Sequence, residues 1–144
     1  MKLNLLSKLG FGTLAAITVI ASVNSTAQAQ EKQNFSYTTE CTSKGTELSG
    51  KRKKCYSAWS TNTLPSGFVF NKDLLKYRYT SKNGSENRCE FEWADYVEIV
   101  PGTDIKMPRT LKIRAYARSP KHDRGARGWS KCLYTGQYVS IVNN

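Results

Sequence analysis

Apolar and polar residues alternate along most of the chain, and this pattern predicts strands. After residue 30, no apolar period of helical type lasts longer than two turns. Strands are predicted at residues 35–41, 55–60, 67–71, 74–80, 89–100, 109–118 and 132–142, with Gly, Pro or Asn between them. In the fifth, Phe91, Trp93, Val97 and Ile99 share one face and Glu90, Glu92, Tyr96 and Glu98 the other; Asp95 breaks the apolar face. In the sixth, Leu111, Ile113, Ala115 and Ala117 oppose Lys112, Arg114, Tyr116 and Arg118. In the fourth, Leu75, Tyr77 and Tyr79 oppose Lys76 and Arg78. A slip by one residue would put these apolar faces in water, so the pattern is expected to select register.

Keeping like faces together places Glu98 beside Lys112, Tyr96 beside Arg114 and Glu92 beside Arg118. On the other side, across a turn at Asn83-Gly84, it places Arg78 beside Glu90 and Lys76 beside Glu92. A two-residue turn there would put Tyr77 on the wrong face opposite Glu90, so an odd-length loop or a bulge is expected. The result is an acidic strand between two basic ones. Its carboxylates then read as cross-strand ion pairs rather than as a catalytic cluster, because a basic neighbour lowers a carboxyl pKa. Asp95 is expected at the sheet margin or bonded to backbone groups. Trp59 is expected in the core.

Seven short strands without a composition break predict an all-β fold, a single-domain antiparallel β-sandwich; a small closed β-barrel is the alternative. The first 29 residues stand apart. Lys2 and Lys8 precede an apolar run at residues 9–23, and Ala27-Gln28-Ala29 supplies small residues for a signal peptidase. The run is shorter than the roughly 18–20 residues of a spanning helix. A cleaved signal at residues 1–29, a secreted or periplasmic domain at residues 30–144, and no transmembrane segment after cleavage are therefore expected. The four Cys then read as two disulfides, with Cys41–Cys55 and Cys89–Cys132 favoured. No Cys-x-x-Cys pair is present and there is one His, which argues against zinc; no cofactor is indicated. Asn34-Phe35-Ser36 and Asn83-Gly84-Ser85 fit the glycosylation pattern, but the signal has a bacterial form and both read as chance matches.

Charge sharpens this picture. The chain has 22 Lys+Arg against 11 Asp+Glu. The charges of the sheet largely cancel, so the surplus falls in two segments. One is Lys51, Arg52, Lys53 and Lys54; the other, residues 118–131, holds Arg118, Lys121, Arg124, Arg127 and Lys131 against Asp123 alone, with His122 and Trp129. The second segment is rich in Gly and contains Pro120, so a long mobile loop is expected. Guanidinium forks match phosphate, sulfate or carboxylate, and Trp129 offers a stacking face. These residues predict an exported binding module for an anionic polymer or glycan, without catalysis. Nucleic acid is a less favoured partner. A secreted inhibitor or other protein-partner module is one alternative, and a small basic hydrolase or nuclease using His122 is another. No Gly-x-Ser-x-Gly, His-Glu-x-x-His or phosphate-loop pattern supports the enzyme. The single binding patch makes one demand: the two basic segments must lie at the same end of the sandwich.

Overall fold

A computed structural model of the chain describes residues 31–141. The export signal expected at residues 1–29 lies outside the described residues. The fold is all-β: β1 (Lys32–Thr42), β2 (Lys54–Tyr56), β3 (Ser60–Thr63), β4 (Phe68–Phe70), β5 (Lys76–Asn83), β6 (Glu86–Glu98), β7 (Lys106–Arg118) and β8 (Trp129–Ser140), with a 3-10 turn at Lys72–Leu74. Two antiparallel sheets share one plan. In the first, β8 is central, flanked by β1 and, on its other side, by β4 and β5 in tandem. In the second, β7 is central, flanked by β6 and by β2 and β3 in tandem. Neither sheet closes, so this is a sandwich and not a barrel.

The alternation along β7 explains the core. Leu111, Ile113, Ala115 and Ala117 are all fully buried, as their shared face requires. Phe35, Phe70 and Tyr134 meet them from the first sheet. The Tyr134 hydroxyl crosses the core and lies 2.8 Å from the Glu90 carbonyl and 3.1 Å from that of Arg114. Burial, and then the Glu90 charge, push this phenol above its ordinary pKa. Both expected disulfides are present, and both join the two sheets. Cys41 of β1 meets Cys55 of β2, and Cys89 of β6 meets Cys132 of β8, with Cα separations of 6.0 and 5.7 Å. Among the described residues no helix is long and apolar enough to cross a membrane.

Four sequence expectations change. The strand predicted at residues 55–60 is two strands, because the ladder ends at Ser57: its N–H still donates to Ala115 O at 2.9 Å, but its hydroxyl, 2.9 Å from that of Thr39, accepts from Ala115 N at 2.9 Å in place of its carbonyl. The β6–β7 register is shifted by six residues, to Glu92↔Lys112, Glu90↔Arg114 and Glu86↔Arg118. A tight turn at Gly102 (φ +77°) makes the connection shorter than the predicted pairing assumed. The shift is even, so every side chain keeps its expected face. The turn at Gly84 is present, but β5 and β6 lie in different sheets, so the acidic strand has one basic neighbour, not two. A register irregularity does occur in β5 between Tyr79 and Ser81, against β8. Finally, Asp95 takes φ +52°, a left-handed backbone that Asp tolerates better than most residues, and accepts a hydrogen bond from the Thr110 hydroxyl.

Candidate polyanion-binding end

The basic segments meet where β7 hands over to its following loop. Lys54 pairs with Arg118 across β2 and β7. Just beyond, Ser119 N donates to Lys53 O at 2.8 Å and Lys53 N donates to Ser119 Oγ at 2.9 Å. Ser119 is fully buried. Its hydroxyl also lies 2.8 Å from that of Thr46, which is 2.7 Å from Pro120 O. Residues 43–53 and 119–128 are then laced together by Ser43 N to Gly128 O (2.8 Å), Thr46 N to Ala126 O (3.1 Å) and Gly125 N to Thr46 O (2.9 Å). Two backbones approach so closely that a Cβ on Gly45 would sit 2.3 Å from Gly125 O. The mobile loop expected at residues 118–131 is therefore pinned along much of its length; Gly45 and Gly128 permit the close approach, and Gly125 takes a left-handed turn at φ +77°.

This end carries most of the unbalanced charge. Three of the expected site cations are neutralised: Lys53 by Glu47, Lys131 by Glu40 at 3.3 Å, and Arg118 by Glu86 at 4.0 Å. The hydrogen bond from Lys53 holds the Glu47 carboxyl below its ordinary pKa, against a smaller desolvation effect. Lys51, Arg52, Lys54, Lys121, Arg124 and Arg127 take part in no ion pair among the described residues. A cleft of about 220 Å³ opens between the two segments, lined by Thr46, Leu48, Ser49, Gly50, Lys121, His122 and Arg124. Trp129 borders a second concavity, with Glu40, Ser81 and Lys131, and its Nε1 donates to Ser81 Oγ at 2.9 Å.

His122 has no hydrogen bond or ion pair to a carboxylate among the described residues. Nor does any group of three His, Cys, Asp or Glu residues come together there to hold a metal. A larger cleft, about 530 Å³, lies at the opposite end, walled mainly by Val69, Ile99, Val100, Met107, Val139 and Ile141; it contains none of the expected site residues.

One feature of the surface is absent from the sequence expectations. On the outer face of the second sheet, aromatic and basic side chains interleave. Arg88 lies over the Tyr116 ring at 4.3 Å, Tyr116 and Tyr56 are 4.7 Å apart, and Arg114 lies over Tyr56 at 4.8 Å and Trp59 at 4.3 Å. Trp59 is thus half-buried on the outside, not in the core: residues 58 and 59 lie between the two pairings with β7, and the Trp59 ring packs against Arg114. Glu90 binds Arg114 at 2.6 Å and Arg88 at 3.5 Å, and Glu86 lies 3.4 Å from Arg88, so these cations are compensated. Glu92 and Glu98 depart from the expected pairing: Glu92 has no ion pair among the described residues, and Glu98 accepts from Thr103 N at 2.8 Å. The alternation of Arg114 and Tyr116 was the available signal; Tyr56 and Trp59 lie too far away in sequence to be placed beside them.

Compared with protein-family models, with curated proteins and with solved structures, the chain gives no match in any of the three.

Proposed function

We propose that this protein is an exported, non-enzymatic module that binds an anionic polymer or an acidic glycan. Its binding surface is the end of the sandwich where residues 51–54 and 118–131 converge. The observation that supports this reading is the junction of Lys53 with Ser119, which brings two basic segments, distant in sequence, to one end. Six cations without an ion pair among the described residues lie on these two segments, and two of them, Lys121 and Arg124, line one shallow cleft. Such a surface attracts polyanions over several ångströms and can contact successive acidic groups of a chain. Two intersheet disulfides fit an oxidising extracytoplasmic compartment.

The test is binding of the disulfide-bonded residues 30–144 to polyphosphate and to a sulfated glycan, followed across salt concentrations. The logarithm of affinity should fall linearly with that of salt. Replacing Lys121, Arg124 and Arg127 by Ser should weaken binding and flatten the slope by roughly one per cation removed. Replacing Lys32, Lys72 and Lys106, which lie away from this end, should change little. Equal losses from both sets, or no binding at low salt, would refute the proposal.

A further inference from the structure

β5 and β6 run in opposite directions from the Gly84 turn and border the same side of the sandwich. No backbone hydrogen bond joins them; β5 pairs only with β8 and β6 only with β7. Along the gap between them two large side chains remain in solvent: Tyr77 is 53% exposed and Phe91 39%, although both lie on the faces that alternate toward the core. Two contacts fix how the strands face each other. Cys132 sits opposite Tyr79 and is bonded to Cys89, and the Tyr77 and Phe91 rings are 6.0 Å apart. Tyr79 is thus level with Cys89, Tyr77 with Phe91, Arg78 with Glu90 and Lys76 with Glu92.

The free backbone groups are in phase with this level. In antiparallel sheets, alternate residues bond to alternate sides. β7 uses its Arg109 and Ala115 carbonyls toward Leu64 and Ser57, so its even-numbered residues serve β6. Glu90, opposite Arg114, is therefore turned to β7, while Cys89 and Phe91 direct N–H and C=O to the open edge. β8 uses its Gln137 carbonyl toward Asn71, so its odd-numbered residues serve the β4–β5 side. Lys76 and Arg78 are turned to β8, and Tyr77 and Tyr79 face the open edge.

We propose that a second copy of this chain docks on the open side, with β5 of each copy adding to β6 of the other about a two-fold axis parallel to the strands. Rotation about that axis preserves height along the strands, so the levels within one copy set the register between copies. Tyr77 then pairs through its backbone with the partner's Phe91, Lys76 lies beside the partner's Glu92, and Arg78 beside the partner's Glu90. Charge selects this arrangement. Joining β6 to β6 would oppose carboxylates, and β5 to β5 would oppose cations. Lys76, Arg78 and Glu92 have no ion pair within the chain among the described residues. Exposed sheet edges are templates for such pairing. The same axis points both basic ends in one direction, so a dimer would offer two of them to one polymer.

Sedimentation velocity of the disulfide-bonded residues 30–144, without ligand, tests the dimer independently of any binding function. The wild type should dimerise. Lys76→Glu alone and Glu92→Lys alone should each weaken dimerisation at least about tenfold, because like charges meet at both junctions. Mixing the two variants in equal amounts should restore the dimer, since both junctions then regain opposite charges; circular dichroism confirms that each remains folded. A wild type that stays monomeric up to about 1 mM overturns the proposal. So does a dimer that neither variant disturbs, or one that the mixture fails to restore.

Discussion

Ser119→Ala probes the joint on which the basic end depends. The hydroxyl is fully buried and accepts from Lys53 N at 2.9 Å, with Thr46 Oγ1 at 2.8 Å. Thr46 keeps Pro120 O, at 2.7 Å, as an alternative partner. Lys53 N has no other acceptor among the described residues. The substitution therefore removes the only protein acceptor of that amide among the described residues. An unsatisfied buried donor costs about 1–3 kcal/mol, so the expected loss is roughly 2 kcal/mol. With an m-value on the order of 1.5 kcal/mol/M, the urea midpoint should fall by roughly 1.3 M at unchanged slope. Hydrogen exchange of the Lys53 amide should accelerate with it. Ser49→Ala is the control: that exposed hydroxyl lies 3.3 Å from Glu47, and its loss should cost less than about 0.5 kcal/mol. If Ser119→Ala shifts the midpoint no further than Ser49→Ala, the two basic segments are not held together in this way.

Two further outcomes follow from the core. Cys89 and Cys132 are 43 residues apart and Cys41 and Cys55 are 14. Replacing the first pair by Ala should cost about 4 kcal/mol and the second about 3 kcal/mol, because the longer loop gains more unfolded-state entropy; denaturant titration showing the reverse order would contradict this. Burial raises the phenol pKa of Tyr37, Tyr79, Tyr116 and Tyr134. A raised folded value favours the neutral form, so this stability is intact below about pH 10, the unfolded phenol value, and is lost as pH rises through the folded values. Phenolate absorbance should show these groups ionising later in the native protein than in urea; a single ordinary titration of all tyrosines would refute it.

The inner face of β7 was legible in the sequence; the two disulfides were favoured there among three possible connectivities, and the structure chose them. A strand's period is two, so Leu111, Ile113, Ala115 and Ala117 could face the core together or not at all. The same periodicity left an even shift free, and β6 settled six residues away because all even registers keep its apolar face inward. The charged segments were legible as composition. Their convergence was not, since it depends on Ser119 and Lys53 meeting across 66 residues of chain. Trp59 and the Arg114 ladder were hidden for the same reason.

The sequence by itself determined that this is a β protein with paired cysteines, which residues of β7 face its core, and that its surplus charge falls in two short segments. These are local properties, written in alternation and composition. Only the tertiary structure decided that β5 and β6 part at Gly84 into opposite sheets, and that the two basic segments share one end. Both outcomes depend on which edges pair across long loops. Local patterns are alike for every such pairing, so the choice is made by the core and the two intersheet disulfides together.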